Sequence, residues 1–326
     1  MSNLLPPAAL SSADARPTKP RARLESQWTV AARSFFKNPV AVASLLLLSA
    51  LIIVAIAGPS LLPYSYARQD LTDVYGAPSP AHVLGTDQLG RDVLTRLVYG
   101  ARISLTVGFL AEAIILTLGI LVGAITGYMG GWLDSVVMRF VDAMYAFPDL
   151  LLIIIVITFI KAQLAAASPT PWLLPLTGLN AATGGLLGVF IALGLTSWLT
   201  TARLVRGQFL SLRERAFVEA ARSIGASPVR IIRSHLLPNT LAPILVAATL
   251  GVPNAILLEA SLSFIGLGVD PPTPSWGIMI SDGVAAVESY PHLILSPVIA
   301  VSLTLLSLNF IGDALRDALD PLLKQS

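Results

Sequence analysis

Long apolar runs alternate with short charged intervals along the chain. Val40–Leu62 carries no charge and holds 13 Leu, Ile or Val residues. About 20 apolar residues at 1.5 Å rise cross the roughly 30 Å hydrocarbon core of a bilayer. At about −0.3 to −0.6 kcal/mol per central residue, such a run favours insertion by about 4 to 8 kcal/mol. A second span is Ile103–Gly127, whose 13 Leu, Ile, Val or Phe residues outweigh one central carboxylate, Glu112. For the third, Asp142 and Asp149 confine the clean apolar part to Leu150–Ile160. That helix is expected to start near Val136, with its first turns at headgroup level. The uncharged stretch Ala162–Ala202, 41 residues, is too long for one helix. Ser168-Pro169-Thr170-Pro171, Pro175, Gly178-Leu179-Asn180 and Gly184-Gly185 break it into a loop and a fourth span, Leu186–Ala202. Thr240–Ala260 and His292–Ile311 complete six. Arg91–Arg102 sets Val93, Leu94, Leu97 and Val98 on one face and Arg91, Thr95, Arg96 and Arg102 on the other, the pattern of a helix lying on a membrane surface. The fold class expected is an all-α polytopic membrane protein of six transmembrane helices.

Composition agrees. Only 12% of residues are charged and 55% are hydrophobic, against about 25% charge in soluble domains. That excludes an ordinary water-soluble enzyme, and equally a disordered chain. With the amino terminus placed in the cytosol, the cytosolic segments hold 16 of the 21 Lys and Arg residues and the outer segments hold 5. Positive residues favour the inside, so both termini are expected in the cytosol. The same distribution removes nucleic acid as a partner, because the basic residues are explained by topology. Residues 1–27, rich in Pro, Ala, Ser and Arg, are expected to form a disordered cytosolic tail.

Catalytic patterns are missing. No Lys is followed by Ser or Thr, which excludes an ATP-binding P-loop, and neither H-E-x-x-H nor G-x-S-x-G occurs. With no Cys and three scattered His (82, 235, 292), no metal cage is expected from this chain alone. The chain is expected to have no enzyme activity and no cofactor of its own.

The longest cytosolic loop, Arg203–Asn239, carries the most information. A short helix is expected over Leu212–Ile224, ended by Gly225 in the left-handed conformation. Ser227-Pro228 then supplies an N-cap and a first-turn proline for a second helix to about Leu236, and Pro238 is expected to break it before the membrane. Ala220 and Ala221 keep the first helix thin enough to sink into a groove on a partner, with Glu219 accepting hydrogen bonds at the rim. A generic amphipathic loop helix on the membrane surface would share much of this pattern.

Glu219-Ala220-Ala221, Gly225 and Leu237-Pro238 together resemble the EAA loop of bacterial ABC importer permeases. His235 stands where the wider family has Ile, as in its peptide-importing branch. Gly85-Thr86-Asp87-Gln88-Leu89-Gly90-Arg91-Asp92 and Tyr99-Gly100-Ala101-Arg102 are similar to that branch's outer-loop signature. So are Leu262–Gly268, Pro271–Gly277 and the run from Asn309-Phe310 to Arg316–Pro321. The resemblance covers nearly everything after residue 28 and points to the C-type permease of dipeptide, oligopeptide and nickel importers. It implies a type I importer permease in the bacterial plasma (inner) membrane. Its implied partners are a homologous second permease, two ABC ATPase subunits that hold ATP and Mg, and an extracytoplasmic substrate-binding protein. The loop 203–239 would couple ATP hydrolysis to transport through Glu219, Ala220, Ala221, Gly225 and Pro238. The division expected is a tail 1–27, a first helix with outer loop 28–101, a permease domain 102–313 and a tail 314–326. The competing class is a stand-alone ion-coupled transporter or channel built on Glu112 and the broken stretch 162–202.

Other candidates keep two readings each. Glu112, central in span two, and Glu259, at the outer end of span five, are either pore or partner contacts, or buried interhelical hydrogen-bonding groups. Gly119, Gly123 and Gly127 allow close helix crossing, within the chain or against the sister permease. Gly266–Pro291, free of Lys and Arg, is either a surface for the binding protein, through Asp270 and Trp276, or a lid packed on its own helices.

Overall fold

The computed structural model describes residues 27–165 and 174–319. The described residues are almost entirely helical. α1 (Gln27–Lys37) leads to α2 (Pro39–Leu61), capped by Asn38, whose side chain accepts from the Val40 and Ala41 amides. Then follow α3 (Val93–Met129), α4 (Gly131–Tyr145), α5 (Asp149–Ala165), α6 (Leu174–Ala182), α7 (Leu187–Thr196) and α8 (Trp198–Leu212). α9 (Ala216–Ser223) and α10 (Pro228–Ile231) form a corner, after which come α11 (Leu237–Phe264), α12 (Trp276–Val284) and α13 (His292–Leu319). Five helical stretches are long and apolar enough to cross a membrane, and the bent pair α4–α5 brings the number to six when taken as one span. The expected tail 1–27 falls outside the described residues except for Gln27. Ser168–Pro171 and the run from Asp320 onward also fall outside them.

α3 is the central rod. Its Gly119, Gly123 and Gly127 lie against Thr201, Ala202, Val205, Arg206 and Phe209 of α8, so the two helices run parallel at close approach. On another side, Gly108 meets Val252 and Ile256 of α11, and Ser104 meets Glu259, an antiparallel register. The glycine repeat therefore serves packing inside this chain. α2 and α13 pack beside α3 and α11 through Leu48, Ala55, Leu105, Val252, Ile256, Val301 and Leu308.

Four expectations need correction. The third span is not one helix from Val136. It breaks between Tyr145 and Asp149 with a 92° bend, because Pro148 removes a donor and disfavours helical geometry at Phe147. α4 consequently leaves the line of α5 and runs back beside α8, from Arg206 to Thr200. Second, the segment after Arg91 is no separate surface helix but the first turns of α3, which at 37 residues is about 55 Å long. Arg91 and Arg96 are buried beneath neighbouring loops, at 6% and 3% exposure. Third, the stretch containing Pro175 and Gly178 is helical (α6), since Pro175 falls in the first turn, where no N–H partner is lost. The fourth span also runs on to Leu212, with one irregular residue at Ser197. Fourth, Pro238 does not break the chain before the membrane. A π-turn over Ile232–Leu236, closed by the Leu237 amide donating to the Ile232 carbonyl, widens the helix where the proline ring enters. Pro228–Phe264 consequently passes as one continuous stretch.

Candidate functional site

Two regions combine geometry with chemistry. The first is the corner between α8 and α11. α9 ends in a paired hydrogen-bond turn: the Gly225 amide donates to Arg222 O (2.9 Å) and the Ala226 amide to Ala221 O (3.0 Å). This closure needs a left-handed residue after the helix, and Gly225 has φ +82°. Ser227 then caps α10 by accepting from the Arg230 amide at 3.4 Å, with Pro228 in the first turn. Gly225 and Ser227-Pro228 thus take the places expected of them, although α9 begins at Ala216 rather than Leu212.

The corner is fixed from beneath. Val218, Ala221, Ile231 and Leu236 are buried with Ala124 of α3, Val205 and Phe209 of α8 and Ile244 of α11. Ala221 therefore faces inward, while Glu219 and Ala220 face outward. Among the described residues the Glu219 carboxylate has no partner. Ile224 and Val229 are 86% and 73% exposed, and Arg215, Arg230 and Arg233 are exposed on the same corner, so the outward face mixes apolar and basic groups around Glu219. Pro238 sits on the exposed side, just past the π-turn. The Asn239 side-chain amide donates to the His235 carbonyl at 2.6 Å and ties down backbone beside it.

The second region is a cavity of about 560 Å3 bounded by α3, α5, α8 and α11 and the end of α4. Thr196, Ser197, Thr200 and Thr201 from α7–α8 and Asn254 from α11 give it hydroxyl and amide groups, with Tyr145 and Asp149 at one edge. Irregular backbone at membrane depth is tolerated where it lines such a space, and Ser197 lies there. Glu112 lines it too, 6% exposed, with Gly251 against its carboxylate. Among the described residues Glu112 makes no side-chain hydrogen bond or ion pair.

Glu259 is different. It is wholly buried and accepts from Ser104 Oγ (3.0 Å) and Ser263 Oγ (2.6 Å). Ser275 Oγ in turn donates to Ser263 Oγ, and the Trp276 amide to Ser104 Oγ. This knot joins α3, α11 and the start of α12, which is the interhelical reading. Trp276 is 1% exposed and its indole N–H donates to the Leu97 carbonyl at 3.1 Å. The loop is a lid on its own helices, and Trp276 lies out of reach of a partner. Asp270 is exposed but engaged, accepting from Lys161 Nζ at 2.9 Å.

Sequence reasoning missed an ionic cluster on the same face. Asp87 accepts from the Leu89 and Arg91 amides (2.9 and 3.0 Å), from Arg91 Nε (2.7 Å) and from Arg96 Nη1. Asp282 lies 3.3 Å from Arg96 and 3.5 Å from Arg91, and ties α12 to the cluster. Burial pushes the Asp87 carboxyl up, but Arg96, the two amides and Arg91 outweigh it and hold the group below its ordinary value. Asp92 caps α3 through Thr95 and pairs with His82 at 2.9 Å. The segment Gly85–Asp92 is therefore a folding device. The available signal was two carboxylates and two arginines within ten residues of an otherwise apolar chain.

Comparisons with known proteins agree with this architecture. Residues 119–325 match the family described as binding-protein-dependent transport system inner membrane component. Residues 26–78 match the N-terminal transmembrane domain of oligopeptide transport permease C. The dipeptide transport system permease protein DppC of Bacillus subtilis is 41% identical over 90% of this chain and 85% of its own length. The oligopeptide transport system permease protein OppC of Haemophilus influenzae is 42% identical over 91% of this chain and 89% of its own. The glutathione transport system permease protein GsiD of Shigella dysenteriae is 37% identical over 93% of both. Among solved structures, a chain of the inward-facing MetNI methionine ABC transporter superposes with a TM-score of 0.51 and 20% identity, over 69% of this chain and 96% of that one. That likeness shows the type I importer fold. These matches give no support to stand-alone ion-coupled transport.

Proposed function

This chain belongs to the family of binding-protein-dependent transport system inner membrane components, and on that premise we propose that it is one of two pore-forming permeases of an ATP-driven importer of small peptides. The corner at Ala216–Leu236 is the observation that carries the reading. It is anchored from within by four buried side chains, and it presents Glu219, Ala220, Ile224 and Val229 outward with no occupant among the described residues. A rigid corner that offers Ile224 and Val229 among exposed charges suits a groove on a separate subunit. ATP and Mg belong to two such ATPase subunits, and the permease contributes the lever and the path.

The corner and both termini face the cytosol, a placement supported by the 16-to-5 distribution of basic residues. The ionic cap and the α12 lid then face outward, where a binding protein delivers cargo. Peptide cargo is supported by the names of the relatives, which cover dipeptides, oligopeptides and glutathione. Asp270, in the loop before α12, is more than half exposed beside Lys161, so a binding protein would meet Asp270 there.

The test is reconstitution. The chain with a second permease, two ATPases and a binding protein should take up peptides into liposomes only when ATP is supplied on the corner side. Solute movement by this polypeptide alone would refute the proposal.

A further inference from the structure

We propose that Glu112 is the cargo-recognising carboxylate of the translocation path, receiving the α-ammonium group of the passing peptide. The inference rests on the importer reading above and names a site within it. A carboxylate near the middle of a membrane span is expensive unless it is paired or faces water. Glu112 is 94% withdrawn from the surface, yet no described residue donates to it. Glu259, wholly buried near the outer end of α11, is satisfied by two serines. The contrast separates a structural carboxylate from one held ready for a transient donor.

The surroundings define the ligand. Glu112 opens into the cavity of about 560 Å3, within the roughly 300–1,000 Å3 of small-molecule sites. No Lys or Arg lines that cavity, whereas Asp149 does, so its fixed charge is negative. Gly251 lies directly against the carboxylate, and any side chain there would cover it. The hydroxyls of Thr200 and Thr201 and the amide of Asn254 can hydrogen-bond peptide N–H and C=O groups irrespective of sequence. An α-amino group has a pKa of about 7.7–8.0 and is mostly cationic at neutral pH. Each short peptide carries that one cation whatever its side chains, so a single acidic group serves a broad cargo class.

The experiment uses the complete importer in proteoliposomes. Uptake is measured for a short peptide and for its des-amino analogue, in which hydrogen replaces the α-ammonium. Both are supplied at concentrations that saturate the binding protein, fixed beforehand from its Kd for each. The native importer should translocate the ammonium form faster by roughly ten- to a hundredfold, the worth of one charge-assisted hydrogen bond. Glu112→Gln should bring the two maximal rates within about twofold of each other. Glu112→Asp should retain most of the preference. Equal maximal rates for the two ligands in the native importer overturn the proposal whatever the variants do. So does a Glu112→Gln importer that slows both ligands alike, the result expected if a basic residue of the sister permease pairs with Glu112. Absence of ATP-driven uptake of any peptide by the native complex would sink the importer reading instead.

Discussion

Replacing Gly123 by Ala tests the central seam directly. A Cβ at Gly123 would stand 2.5 Å from the Ala202 carbonyl oxygen and 2.8 Å from Val205 Cβ, against about 3.4 Å for ordinary contact. The shortfall is 0.9 Å, and the obstacle is backbone that cannot rotate aside, so α8 must retreat as a body. Overpacking of this kind costs about 1–3 kcal/mol. Ala also gains about 1 kcal/mol over Gly in a helix interior, which offsets part of the loss and complicates a single measurement. Gly207, in α8, removes the ambiguity, because a Cβ there meets nothing within 4 Å. Gly207→Ala collects the propensity gain alone, and the difference between the two variants isolates the clash. It should be about 1–3 kcal/mol, or about 5- to 150-fold in the folded-to-unfolded ratio. Unfolding of the detergent-solubilised protein, followed by tryptophan fluorescence against denaturant, reads that ratio. Gly123→Ala as stable as Gly207→Ala would refute parallel contact of α3 and α8 at this register.

At the corner, Gly225→Val forces a β-branched residue to φ +82°, and Glu219→Lys reverses the charge at the rim. Both should reach the membrane at normal abundance yet lose most peptide uptake and most substrate-stimulated ATPase activity, and wild-type behaviour would refute coupling there. On the outer face, Asp87 is held below its ordinary pKa of 3.8, so its stabilising contribution is complete above that value and disappears as pH falls through the lower folded one. Amide-exchange protection of Gly85–Asp92, corrected for intrinsic rates, should stay level from about pH 7 to 5 and drop only below about 4; a drop near pH 6 would contradict the cluster. Because the chain has no Cys, Asp142→Cys with Arg203→Cys can be joined by a short bis-maleimide. That link should fix α4 to α8 and stop transport, and undiminished uptake by fully linked importer would show that the pair need not separate.

Spans, corner and capping were legible because each rests on local chemistry. Val40–Leu62 is apolar enough to declare itself, and Gly225 followed by Ser227-Pro228 has few alternatives to a stop and a restart. Pro238 misled because a proline removes one hydrogen bond without dictating how the helix responds. A π-turn is one answer, visible only with the tertiary contacts of Leu236 in place. Arg91 and Arg96 misled for a related reason. Their spacing reads as the polar face of a surface helix, and burial depends on Asp282, nearly two hundred residues away. Trp276 looked exposed because prolines and serines surround it, yet its indole is seated on Leu97 and its backbone on Ser104. The polar cavity had a faint local sign in Thr196, Ser197, Thr200 and Thr201, one stripe of hydroxyls in an apolar helix. What it faces is decided by α3 and α11.

The corner and the cavity share their walls, and this bears on how force would travel. α8 carries Thr200, Thr201 and Leu204 at the cavity and ends at Leu212, three residues before α9. α11 carries Gly251 and Asn254 and begins directly after the π-turn. Val218 and Ala221 key α9 to both helices through Phe209 and Ile244. Close-packed interiors transmit displacement rather than absorb it, so a push on α9 moves two cavity walls together. α3 must follow α8, because the glycine seam leaves no slack, and Glu112 rides on α3. α4 is held differently: Asp134–Arg206, Asp142–Arg203 and a Tyr145–Thr200 hydrogen bond join it to α8. The Asp142–Arg203 pair is exposed on both sides, and exposed ion pairs contribute about 0–1 kcal/mol each. Polar contacts of that size can open without unpacking a core. α3 and α8 thus move as one body, and at the cavity edge near Tyr145 the exposed Asp142–Arg203 pair can part at little cost.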